Sequence, residues 1–215
     1  MEIHGPEGHL QSFRDVLVHL GIVTVGILIA LGLEQTVEWF HERQQVAEAN
    51  EMLAQEIREN RNVLGAYAAK LPAIRDAALG ALDEITGMLQ KKSKPTAGLT
   101  LIYDEAQLRN TAWTTAEAAG AFTHMPYGEL SRYAATYRMQ DQFLETQKRA
   151  SDVVAGAYDV WISRGQAGQI LQEMSPSELE AERARLMHFI STLDMEIWVS
   201  EPLRKQYETM LQERR

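Results

Sequence analysis

The chain has 215 residues and no cysteine, with 21 Lys and Arg against 30 Asp and Glu for a net charge of −9. An acidic chain is a poor match for nucleic acid or for a broad anionic lipid surface. The missing cysteines exclude disulfides, thiolate metal sites and covalently attached haem, and the length fits one modest domain.

Residues 1–11 contain Gly5, Pro6 and Gly8 and are expected to form an irregular tail. Ser12, with Asp15 three positions on, has the spacing of a capping box and starts a helix. Val16 to Leu33 then read VLVHLGIVTVGILIALGL, eighteen positions without Asp, Glu, Lys or Arg. Twelve of these are Val, Ile or Leu, each favouring membrane insertion by roughly 0.3–0.6 kcal/mol. Together they outweigh His19, Thr24 and the three glycines of the run. As a helix the run covers about 27 Å, close to the ~30 Å of bilayer hydrocarbon. Residues 12–33 are therefore read as a transmembrane helix, with membrane lipids as its first partner.

Flanking charge is nearly balanced, with Arg14 before the run and Arg43 the first cation after it. A short tail followed by a large acidic domain favours a tail in the cytoplasm and a domain outside it. Ala30-Leu31-Gly32 has the form of a signal cleavage site, but the region before the run is long and poorly basic for that use. An uncleaved anchor is expected.

Gly26 and Ala30 make a small-xxx-small pair on a face shared with His19, a surface of the kind membrane helices use to pack. His19 stands four residues after Asp15, the spacing for a hydrogen-bonded pair near the interface. As an intramembrane ionisable group it is also a candidate for a proton or pigment-ligand role. Trp39 and Phe40 lie about two turns beyond the run and read as a membrane-interface belt. Glu38 and His41 have the Glu-x-x-His spacing of di-iron bundles, which need a second such motif that the chain lacks. His41-Glu42 lacks the second histidine of a zinc protease motif, and no phosphate loop or nucleophile elbow occurs. No catalytic, metal or cofactor site is expected.

From Val46 a seam runs through Asn50, Leu53, Ile57, Asn60, Leu64, Tyr67, Leu71, Ile74, Ala78, Ala81, Ile85 and Met88 in alternating steps of four and three. That spacing predicts one coiled-coil-like helix from Ser12 to about Gln90, kinked near Pro72. Residues 34–62 read as a helical neck in which Asn50 and Asn60 set register. On that reading Asn50→Ile with Asn60→Leu raises thermal stability and loosens oligomer choice. Residues 63–215, where the apolar stripe widens, read as a helical bundle domain.

Lys91, Lys92 and Lys94 end the long helix and suit its negative C-terminus. A helix over about Glu105 to Gly120 follows, stopped by Gly120. After the turn Thr123 to Pro126, a helix over Tyr127 to Arg164 carries Leu130, Tyr133, Tyr137, Leu144, Val154, Tyr158 and Trp161 on one stripe. Leu99 to Tyr103 is a candidate extended piece, and Gly165 to Met174 a loop. Ser175-Pro176 caps the last helix, with Leu179, Leu186, Ile190, Leu193 and Ile197 inward and Pro202 a restart or kink. His124 reads as a capping or surface residue, and the aromatics, Trp113 and Tyr127 included, as core. The fold class is all-α: one N-terminal transmembrane helix continuing into a long helix that packs with about three more.

The stretch Val25-Gly26-Ile27-Leu28-Ile29-Ala30-Leu31, followed by Glu38-Trp39 and Glu42-Arg43, resembles a widespread family of uncharacterised bacterial single-pass membrane proteins. Members have a Gly-Ile-Leu-Ile-Ala-Leu membrane helix, then Trp among acidic and amide residues, then a helical domain. The family's usual Asn-Asn-Trp-Asn-Glu is here Val37-Glu38-Trp39-Phe40-His41, so only the Trp is kept. The match covers Gly21 to Arg43, with a weaker echo in the Trp113 helix and His124-Met125-Pro126-Tyr127. The resemblance implies a bacterial inner membrane and a helical domain, and carries no activity. The expected function is a membrane-anchored scaffold or accessory subunit of an inner-membrane assembly, without catalysis. Its partners would be further copies or other membrane subunits. A ligand-sensing bundle is the alternative, weakened by the lack of a second span or an output domain.

Overall fold

The structure, a computed structural model, describes residues 13–91, 103–163 and 170–212. Among these there is no strand, and the chain is all-helical. The long helices are α1 (Phe13–Ala68), α2 (Leu71–Leu89), α4 (Tyr127–Ser163) and α6 (Pro176–Gln212). Between them stand the short α3 (Thr111–Ala118), a 3-10 turn at Ala121–Thr123, and α5 (Ile170–Glu173). The chain divides into two compact units, Met1–Glu48 and Ala49–Arg215.

In the first unit, the part of α1 from Val16 to Leu33 carries no Asp, Glu, Lys or Arg on any side. The aliphatic side chains from Val16 to Leu33 are each between 46% and 66% exposed. Thr24, the one hydroxyl of the run, donates to the Leu20 carbonyl at 2.8 Å. Thr36 does the same to Gly32 at 2.7 Å. Both polar groups are thus satisfied inside the helix itself. One helix here is long and apolar enough to cross a membrane.

The second unit begins at Ala49, within the residues expected as a neck. Leu53, Ile57, Asn60, Leu64, Tyr67, Leu71, Ala78 and Ile85 of the predicted seam are all buried. The seam therefore faces other helices of the same chain. α2 and α4 both pack along α6. The expected single helix to Gln90 is divided at Ala69–Lys70, where Lys70 N–H turns back to the Tyr67 carbonyl. Pro72 sits in the first turn of α2, where its missing N–H costs nothing.

α4 buries the series Tyr133, Thr136, Gln140, Phe143, Gln147, Ala150, Val154 and Ala157, with Tyr137 beside it. On α6 the main buried series is Leu179, Glu182, Leu186, Phe189, Leu193, Glu196, Ser200, Leu203, Tyr207 and Met210, with Ile190 and Thr192 buried beside it. Both alternate steps of three and four, so each helix shows one face inward. The series differ from the expected stripes because polar residues fill the gaps. Leu144 and Ile197 are only half-buried. α6 runs through Pro202 without a restart. It begins with a reciprocal capping box: Ser175 N–H donates to the Glu178 carboxylate at 2.7 Å, and Glu178 N–H to Ser175 Oγ at 3.4 Å.

The helix expected from Glu105 starts only at Thr111, and residues 103–110 are irregular. Its predicted stop is present. α3 ends at Ala118, and Gly120 takes a φ of 78°. Lys91, just past α2, has a φ of 57°. The tail 1–11, Ser12, Lys92, Lys94 and residues 99–102 lie outside the described residues, as do 164–169 and the side chains of Tyr158 and Trp161.

A side chain at Gly120 would meet no atom within 4 Å, so its backbone conformation alone sets the cost of a substitution. Gly120→Ala is expected to lower stability by about 1 kcal/mol. Chemical denaturation will read this as a lower midpoint at unchanged slope.

Candidate functional site

Two kinds of site emerge, one along α1 in the first unit and one inside the second. On α1, Trp39 and Phe40 meet edge to face with ring centroids 5.0 Å apart. The Arg43 guanidinium lies 4.6 Å from the Trp39 ring centroid. A cation over an indole face gives this part of the helix one aromatic and cationic patch. Gly26, Ala30 and His19 are exposed, with nothing within 4 Å of a Cβ built at Gly26. No hydrogen bond or ion pair joins His19 to Asp15.

The second unit holds buried polar residues where the seams of α1, α4 and α6 meet. Asn60 is 1% exposed. Its amide donates to the Arg109 carbonyl at 2.7 Å and to Gln140 Oε1 at 3.0 Å, while its Oδ1 accepts the Arg109 N–H at 2.9 Å. Gln140 Nε2 also donates to the Arg109 carbonyl, at 2.9 Å, and Tyr207 donates to Gln140 Oε1 at 2.6 Å. These bonds explain why residues 103–110 are not helical. The N–H and C=O of Arg109 are satisfied by side chains, so the segment needs no ladder of its own.

One turn earlier, Glu56 accepts the Ala112 N–H at 2.9 Å and the Tyr137 hydroxyl at 2.7 Å. Asn110, at the N-cap of α3, makes no side-chain cap bond. The Glu56 carboxylate takes that role from another helix, and its charge suits the positive N-terminus. Burial raises the Tyr137 hydroxyl pKa above its ordinary value, and the Glu56 hydrogen bond and charge add to the rise.

Further along, Glu196 of α6 is fully buried. Tyr67 donates to its Oε1 at 2.8 Å. The Tyr103 hydroxyl lies 3.1 Å from Oε2 and 3.2 Å from the Gln147 carbonyl. Edge-to-face contacts of Tyr67 with Phe143 and of Tyr103 with Phe189 hold the two rings. At the same corner, Lys70 pairs with Asp104 at 3.8 Å, and Arg75 with Asp194.

Open grooves of about 430 and 520 Å³ flank these clusters, one beside Glu56 and Arg109, the other beside Tyr67, Lys70 and Glu105. No group of three or more His, Asp or Glu able to hold a metal occurs among the described residues. His41 and His124 are exposed. Comparison with family models, curated proteins and solved structures finds no match.

Asn60 was singled out from the seam, but Glu56, Gln140, Gln147 and Glu196 were not. For Gln140, Gln147 and Glu196 the available signal was their position in the alternating three-and-four series of α4 and α6. Asn60 finds its partners within the chain, which alters what a substitution should do. Asn60→Leu leaves the Arg109 N–H without its acceptor, and is expected to lower stability by about 2 kcal/mol. Thermal or chemical unfolding of the full chain in detergent tests this. A rise in stability would support the register role instead.

Proposed function

We propose that this protein is a membrane-anchored helical scaffold or accessory subunit, held in a bacterial inner membrane by residues 12–33, without catalysis. The observation that carries this reading is the apolar run of α1, none of which is buried. A helix apolar all round suits a hydrocarbon surrounding. The back-bonded hydroxyls of Thr24 and Thr36 support it, since each leaves no polar group unmatched. The Trp39, Phe40 and Arg43 patch supports an interfacial belt. The resemblance of Gly21 to Arg43 to bacterial single-pass proteins points the same way.

The second unit then acts as a helical bundle presented to partners, further copies or other membrane subunits, with the periplasm as its compartment. Its interior is built of apolar side chains with hydrogen-bonded polar groups among them, and its grooves are open, which favours a structural role. On α6, Met187, Met195 and Trp198 are 53%, 51% and 70% exposed and share one face, a further apolar surface for a partner.

The full chain is expected to stay with membranes through an alkaline carbonate wash and to be released by detergent. A periplasm-dependent reporter fused after Arg215 is expected to be active. Release by carbonate would overturn the anchor, and activity of a cytoplasm-only reporter would reverse the orientation.

The small-residue face of α1 gives a separate prediction. Leucine at Gly26 would hold a partner helix away, at a cost of order 1–2 kcal/mol, or about tenfold in association. Gly26→Leu is therefore expected to lower self-association or partner retention in detergent, with insertion unchanged and Leu28→Ile as the control. Equal recovery from both variants and wild type would assign the helix to anchoring alone.

A further inference from the structure

One apolar side of α1 continues past the end of the uncharged run. Gly26, Ala30, Leu33, Val37, Phe40 and Gln44 follow one another in alternating steps of four and three. At 3.6 residues per turn they fall within an arc of about 80°. Val37 and Phe40, beyond the run, are 70% and 63% exposed. An open groove of about 510 Å³ lies along this side, lined by Leu33, Glu34, Val37, Glu38 and His41. The series reaches Ala47 and then Glu51, a charge that bounds it.

Arg43 and Glu48 stand on opposite flanks of this side. The residues three and four positions from Arg43 are all apolar, and those from Glu48 include no cation. The Arg43 guanidinium rests over the Trp39 ring, and Gln44 Nε2 donates to Glu48 Oε1 at 2.8 Å. Neither Arg43 nor Glu48 has an ion-pair partner among the described residues. In α6, by contrast, Arg183 and Arg204 pair with acids three or four residues away. Five positions apart on one helix, Arg43 and Glu48 point about 140° apart and do not meet. In two parallel helices packed through this side, Arg43 of each faces Glu48 of the other, the flanking charge relation of a coiled coil.

We propose that the side of α1 from Gly26 to Gln44 packs against the same side of a second copy of this chain, in a parallel contact closed by Arg43 of each copy on Glu48 of the other. The inference rests on the anchored scaffold reading and names its partner.

Two copies of one anchor enter the membrane in the same sense, so their helices run parallel. A two-fold axis sets each residue of the series beside its own counterpart. Gly26 and Ala30 then meet small side chains, which lets the backbones close together. Val37 meets Val37 where lipid no longer covers it. The Gln44 amide carries both donors and an acceptor, so its counterpart is a matching partner. A different protein would need an acid and a cation at the two matching positions. A second copy supplies both by symmetry.

The chain contains no cysteine, so single cysteines report contacts without background. In membranes holding the full chain, mild oxidation should join Val37→Cys and Gln44→Cys into dimers several-fold more than Gln35→Cys and Glu42→Cys, which lie on the other side of the helix. Arg43→Glu should lower the Val37→Cys yield about three- to tenfold. Adding Glu48→Arg to that chain should restore it, and failure to do so would overturn the register. Equal yields on both sides of the helix would overturn the pairing. Absence of dimers at Val37→Cys and Gln44→Cys, in a chain that withstands the carbonate wash, would overturn it too while leaving the anchored scaffold standing. Release by carbonate would overturn both.

Discussion

Polar side chains between α1, α4 and α6 must find one another, and the second unit is arranged around that requirement. Burying an amide or carboxyl without a partner costs a few kcal/mol, comparable to much of a domain's net stability. Asn60, Gln140 and Tyr207 meet this requirement with one another and with the Arg109 backbone. A slip of α4 by three residues would carry Gln140 about 4.5 Å along its axis, put Phe143 in its place and remove the partner that Asn60 and Tyr207 share. The apolar residues of the three seams would tolerate such a slip far better. Leu for Leu is an even exchange; Gln140 for Phe143 is not.

The same requirement explains two departures from regular structure. The segment 103–110 is irregular, and Asn60 and Gln140 bond the Arg109 backbone while Tyr103 reaches Glu196. α3 begins where it does because Glu56 of α1 accepts the Ala112 N–H. In both places a side chain from a distant helix replaces a local backbone partner.

α1 shows two answers to the question of where apolar side chains go. From Val16 to Leu33 they point in every direction and none is buried. From Leu53 onward they keep to one stripe, and that stripe is covered by other helices of the chain. A uniform apolar surface needs an apolar solvent, whereas a stripe needs only a neighbour.

Much of this was readable in the linear sequence. Apolar content and spacing are local properties, so the all-helical class, the candidate membrane span, the buried seam, the Gly120 stop and the Ser175 cap all follow from residues a few positions apart. Pro72 was read as a kink within one helix, whereas α1 ends at Ala68 and α2 starts at Leu71. Hydrogen-bond partners were not readable. Asn60 meets Gln140 across 80 positions and Tyr67 meets Glu196 across 129, and no periodicity specifies which polar residue faces which. Counting apolar positions passed over Gln140, Gln147 and Glu196 because they look like solvent-facing residues until three seams converge on them. Local spacing decides which face of a helix is buried; only the packed arrangement decides whether a polar residue on that face is paired, and by what.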